Sequence, residues 1–122
     1  MAEKARRRAF AFGVRAERLA RFWLRCKGYR IVERQYKTPV GEIDIIARRG
    51  AALAFVEVKA RTDLETAAAS IGACQQARIE RAALAYIARH PDCAELDLRF
   101  DVILIARGRW PKHMPGAWRP RE

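Results

Sequence analysis

The chain has 122 residues, 51% of them hydrophobic, and carries 25 Lys and Arg against 14 Asp and Glu, for a net charge of +11. That length suits one compact domain able to bury about two thirds of its unfolded surface. No apolar stretch approaches the roughly 20 residues of a membrane helix. The positive start, MAEKARRRAF, is followed by no apolar h-region, so the expectation is a cytoplasmic protein without a secretory leader.

The spacing of residues 14–27 predicts an amphipathic helix. Ala16, Leu19, Ala20, Trp23 and Leu24 recur at helical intervals, Gly28 is placed to end it, and Arg15, Arg18 and Arg25 build a basic outer face. "YRIVERQY" (29–36) alternates as a first strand, "KTPVG" (37–41) reads as a turn, and strands follow over about 42–48 and 52–60, joined around Gly50. Residues 61–72 read as a connector with room for one helical turn. A second helix covers about 73–90, with Ile79, Ala82, Ala83, Tyr86 and Ile87 as its stripe, and Pro91 disfavours helix at the residue before it. "LRFDVILIA" (98–106) is apolar enough for a central strand. The tail from residue 110, with three prolines and two tryptophans, is expected to be irregular. The fold class is therefore α/β, a mixed sheet flanked by helices in αβββαβ order, with a domain over 1–109 and a Trp- and Pro-rich basic tail over 110–122.

Charge is distributed unevenly. Residues 1–30 carry a net +8 and residues 107–122 a net +4, whereas residues 31–106 sum to −1. Such a field attracts polyanions, nucleic acid above all, although an Arg-rich surface can also be simply solvated. Cys26, Cys74 and Cys93 lack metal-ligand spacing and read as small core residues.

The stretch GEIDIIARRGAALAFVEVKAR (41–61) poses a physical problem, because its two buried strands carry Glu42, Asp44 and Glu57. Burying an unpartnered carboxylate costs several kcal/mol or forces a large pKa shift. A two-residue loop at residues 50–51, with Gly50 first in a type II′ turn, sets Asp44 opposite Glu57 and Glu42 opposite Lys59. Two carboxylates that close resolve their repulsion by sharing a hard cation such as Mg²⁺ or Mn²⁺, with Lys59 beside them to place a water or offset phosphate charge. The competing reading is a structural cross-strand network, Glu42 with Lys59 and Asp44 with an arginine such as Arg61.

The motifs GEIDIIA and FVEVKAR, with AERLARFWLRCKGYRIVER upstream and LRFDVILIA downstream, resemble the YraN-type family of small uncharacterised bacterial proteins. That family is similar to Holliday junction resolvases within the PD-(D/E)xK nuclease superfamily. The resemblance spans about residues 13–106 and implies a restriction-endonuclease- or resolvase-like core. It implies Asp44 as the acidic metal ligand and Glu57 and Lys59 as the E-x-K. It also implies Glu17 as a helix glutamate able to reach the metal, where an i,i+4 pair with Arg21 is the bland alternative. Glu42, in the GEID signature, is a second metal contact or a partner to Lys59. Arg61 is a phosphate contact or a plain surface arginine. This chain departs from the family in having Gln75-Gln76 where Lys-Gln is common, and Gln35 where Asn is usual. Gln75 lies on the Ile79 face and so points toward the sheet.

The reading that follows is hydrolysis of DNA phosphodiester bonds, dependent on Mg²⁺ or Mn²⁺, in branched, nicked or single-stranded DNA during repair or recombination. Asp44, Glu57, the backbone carbonyl of Val58 and Glu17 would hold the metal, while Arg15, Arg18, Arg25 and Arg61 would track the DNA backbone. Resemblance to resolvases implies a symmetric homodimer. Trp110 and Trp118 either stack on unpaired bases or pin the tail to the domain. The rival is a nucleic-acid-binding module that keeps the nuclease fold without cutting, and a third reading is a basic protein on ribosomes or RNA.

Overall fold

A computed structural model describes residues 2–61 and 72–120, without the side chains of residues 8–11. Helix α1 (Ala2–Cys26) leads into strands β1 (Arg30–Thr38), β2 (Gly41–Arg49) and β3 (Ala52–Arg61). Helix α2 (Ala73–Arg89), a short 3-10 turn (Pro91–Cys93) and strands β4 (Asp97–Ala106) and β5 (Lys112–Trp118) complete the chain. The five strands lie in the order β1-β2-β3-β4-β5, antiparallel except where β3 runs parallel to β4. The α/β class and the mixed sheet are as the sequence predicts.

The sheet is covered on both faces. Ala16, Ala20 and Leu24 of α1 are buried against Ile45, Ala47, Ala54, Val56, Ile103 and Ile105. On the other face Ile79, Ala82, Ala83 and Tyr86 of α2 pack on Ile43, Ile46, Leu53, Phe55 and Phe100. Helix α1 ends in a glycine cap: Gly28 (φ 89°) donates to the carbonyl of Arg25, and Tyr29 donates to that of Leu24 while packing beneath the helix.

Three expectations are corrected. Helix α1 starts twelve residues before position 14, because residues 2–8 are strong helix formers with an exposed Glu3–Arg7 pair (2.8 Å) but no apolar stripe to announce them. The tail is not irregular: residues 112–118 form edge strand β5 on β4. Its one proline within the strand, Pro115, is tolerated because an edge strand needs donors on one side only, and it falls in the stretch where the register shifts. Of the cysteines Cys93 is buried, but Cys26 and Cys74 are exposed at helix ends. The connector over 62–71 lies outside the described residues.

Gly41, the first residue of GEID, matters for space rather than for turning. A β-carbon there would stand 2.3 Å from the Arg78 carbonyl oxygen of α2. Backbone cannot yield as a side-chain tip can, so Gly41→Ala is expected to cost about 1–3 kcal/mol, read as a lower midpoint in denaturant unfolding.

Candidate active site

The β2–β3 pairing runs from Arg49 with Ala52 to Ile45 with Val56, the register that a two-residue loop at 50–51 requires. Gly50 takes a positive φ (59°) and Ala51 does not, as a type II′ turn demands. Beyond Ile45 the ladder stops and side chains take over: Val58 N–H donates to the Asp44 carboxylate (2.8 Å). In an extended strand the N–H and C=O of one residue point the same way, so the Val58 carbonyl also faces the Asp44 edge.

Glu57 lies next to this fork, 7% exposed. Gln75, in the first turn of α2, donates to its Oε1 (2.7 Å), and Lys59 Nζ stands 3.3 Å from the same atom. The i,i+4 spacing of Gln75 to buried Ile79 aims it at the sheet. Glu42 and Glu57 line a cleft of about 350 Å³ together with Cys74, Gln75, Arg78 and Ile79. Sequence reasoning missed Arg78, which the i,i+3 step from Gln75 could have placed there.

The electrostatics are those of crowded acids. Burial, and then the charge of Glu57, push Asp44 from near 3.8 up to about 8, against the opposing Val58 hydrogen bond. Burial also raises Glu57, with Lys59 pulling it back down. Among the described residues Lys59 is the one cation in salt-bridge contact with this pair. The structural network offered as the competing reading does not form as expected, since Lys59 turns to Glu57 rather than Glu42 and Arg61 donates to the Ala60 carbonyl (2.7 Å).

Glu17 approaches from α1 closely enough for its charge to raise Asp44. Its carboxylate accepts from the Gln35 side chain (2.5 Å). Gln35 sits at φ 51° in β1, between the pairs Arg34 with Ile45 and Tyr36 with Ile43, which places it across from Asp44. A left-handed backbone suits Asn, the residue that tolerates that region best after Gly. Among the described residues, no three His, Cys, Asp or Glu side chains gather as a metal cage. The oxygens on offer to a cation are the two carboxylates of Asp44 and Glu57 and the Val58 carbonyl.

Arg15, Arg18 and Arg25 are exposed along α1, and Arg61 is exposed at the end of β3. Burial and the charge of Arg34, with weaker repulsion from Arg25 and Arg18, lower Arg21 despite the attraction of Glu17. No helix among the described residues is long and apolar enough to cross a membrane.

An acid raised in the folded state binds more protons folded than unfolded, so its contribution to stability falls as pH rises. For Asp44 that loss accumulates between about pH 4 and pH 8. Asp44→Asn keeps the acceptor for Val58 without the charge. In EDTA it is expected to melt above wild type at pH 8, with the gap closing toward pH 4.

A family model described as "Uncharacterised protein family UPF0102" matches residues 16–105. A UPF0102 protein of Parvibaculum lavamentivorans is 56% identical over 112 residues, covering 92% of this chain and 84% of the relative. One from Bartonella henselae is 51% identical over 110 residues (90% and 87%), and one from Chelativorans sp. is 47% identical over 120 residues (98% and 97%). With the GEID and E-x-K strands now seated side by side, the chain belongs to the UPF0102 family, the YraN-type group its motifs resemble.

Proposed function

We propose that the protein is a divalent-metal-dependent phosphodiesterase acting on branched, nicked or single-stranded DNA. The observation that carries this reading is the pair of carboxylates, half-buried Asp44 and buried Glu57, held against each other with Lys59, among the described residues, the one cation in salt-bridge contact. A purely structural site gains nothing from such crowding, whereas a cation relieves it. The residues fit Mg²⁺ or Mn²⁺: hard oxygen donors from neighbouring strands, in an open cleft. Two carboxylates suffice, because Mg²⁺ is commonly held by one or two carboxylates with waters and substrate phosphate completing its shell.

When bound, such an ion supplies a water of lowered pKa and polarises a phosphate oxygen. The chain's own residues do the rest. Gln75 fixes the Glu57 carboxylate, and the Val58 N–H fixes that of Asp44. Lys59, mostly buried beside Glu57, orients the attacking water and offsets charge developing on the phosphate. The arginines of α1 follow the DNA backbone without reading bases, so affinity falls steeply with salt.

The test is incubation of purified protein with labelled linear, nicked, flap and four-way DNA, in Mn²⁺ or in EDTA. Cleavage in Mn²⁺ that disappears in EDTA is the expected result. Binding without cleavage on every substrate would favour a module that keeps the fold and has lost turnover.

A further inference from the structure

The carboxylate cleft leaves one feature of the molecule unused, an exposed aromatic surface on the opposite flank of α1. At 100° per residue, Glu17 and Arg21 fall on one side of the buried stripe, and Phe12, Leu19 and Trp23 on the other. Contacts agree with this: Glu17 meets Gln35 of β1, while Trp23 meets Trp110 in the loop between β4 and β5.

The two tail tryptophans have different fates. Trp118 stacks on Phe100 (centroids 5.3 Å apart, 22° between planes) and donates its indole N–H to Glu80 (3.1 Å), so packing accounts for it. Trp110 is 81% exposed and touches Trp23 at a tilt (5.8 Å, 35°). An indole offers about 150–250 Å² for burial, and here most of that surface is left to solvent. On the same flank of α1 runs a groove of about 380 Å³ between the helix and the end of β4, lined by Phe12, Leu19 and Ile105, with Arg107 set over the Phe12 ring (5.1 Å).

Charge decides what covers this surface. Arg15, Arg18 and Arg25 stand exposed between the two flanks, and Arg107 and Arg109 are exposed in the loop bearing Trp110. A second copy docked by two-fold symmetry would set these arginines against their own equivalents. A polyanion that also carries flat apolar rings satisfies both features at once, and unpaired nucleic acid is that chemistry.

We propose that Trp110, backed by Trp23 in a loop that also carries Arg107 and Arg109, is a stacking platform for an unpaired base of single-stranded DNA, separate from the carboxylate cleft. This rests on the reading that the protein handles DNA, and does not depend on cleavage.

Fluorescence anisotropy in EDTA, at one fixed salt concentration, tests it with labelled oligo(dT), a strand of abasic sites and a blunt duplex of equal length. Trp110→Ala is expected to weaken oligo(dT) binding by about tenfold or more while leaving the duplex within about twofold, and Trp110→Phe to retain most of the affinity. Wild type should bind the abasic strand as weakly as Trp110→Ala binds oligo(dT). Equal binding of oligo(dT) by wild type and Trp110→Ala would overturn the platform, as would equal binding of abasic and thymidine strands by wild type. A dimer in sedimentation that Trp110→Ala converts to monomer would also overturn it, marking an interface between copies. Binding is read in EDTA, where the proposed cleavage does not run, so a missing cleavage activity counts against the phosphodiesterase reading alone.

Discussion

Asp101→Ala is expected to lower the melting temperature by about 10–20 °C, from a loss of about 3–5 kcal/mol. Asp101 is completely buried in β4 and accepts four hydrogen bonds: Arg99 Nε and Nη2 (2.8 Å each), His113 Nε2 (2.8 Å) and the Gly116 N–H (3.0 Å). Burial alone would raise its pKa, but the bonds from His113, Arg99 and Gly116 prevail and hold it down to about 2. Removing the carboxylate leaves the Arg99 guanidinium without its buried counter-charge and the His113 ring, whose side chain is 1% exposed, without its hydrogen-bond partner. It also frees the Gly116 N–H, which the bulged β5 does not return to the sheet. The loss is a large share of the 5–15 kcal/mol typical of a whole domain.

The sign of the pH dependence follows from the depressed pKa. The contribution of Asp101 is complete above its unfolded value near 3.8 and disappears as pH falls toward about 2. Circular-dichroism melts should therefore show a wide gap between wild type and Asp101→Ala at neutral pH, narrowing below about pH 4. Equal melting temperatures at pH 7 would mean that β5 is held by its ladder alone.

Glu57→Gln is expected to reduce Mn²⁺-dependent DNA cleavage by about a thousandfold or more, since a metal-held charge in the transition state is worth several kcal/mol and each 1.36 kcal/mol is tenfold. The substitution keeps the size of the side chain and an acceptor for Gln75, so the fold survives. Lys59→Met should cost about a hundredfold or more, the scale of losing one charge-stabilising donor. Gln75→Ala, which only frees Glu57 to rotate, should cost about 10–100-fold. Duplex affinity is expected to be unchanged in all three, because the arginines of α1 supply it. Cleavage assays with single-turnover rates, alongside duplex binding in EDTA, separate these effects. A Glu57→Gln protein that cuts at the wild-type rate would mean a contaminating nuclease or a site elsewhere.

Much of this was legible in the sequence wherever a side chain's job is local. Gly50 and the alternation on either side of it gave the β2–β3 register, and with it the meeting of Asp44 and Glu57. The helical step from Ile79 back to Gln75 pointed that amide toward the sheet, where the structure sets it on Glu57. What escaped was set by distant partners. Residues 2–7 extend α1 with their side chains exposed, so no periodicity marks them. β5 hides behind a proline that an edge position forgives. Asp101 sits in the middle of an apolar run and raises the same question as Asp44, and Arg99 two residues earlier on its face was half the answer. The other half, His113 and Gly116, arrives from β5 with no local signal. Gly41 read as turn punctuation, yet it is small because α2 passes directly over it.

The claim on which the functional reading depends is that Asp44 and Glu57 crowd together to share a cation. Calorimetric titration of metal-free protein with Mn²⁺, with melting curves recorded beside it, tests that most directly. A single Mn²⁺ is expected to bind, with proton release on binding, affinity rising with pH toward about pH 8 and a raised melting temperature. Asp44→Asn and Glu57→Gln should each remove the binding heat and the melting shift. Wild-type protein that shows neither, or variants that bind Mn²⁺ as wild type does, would contradict it.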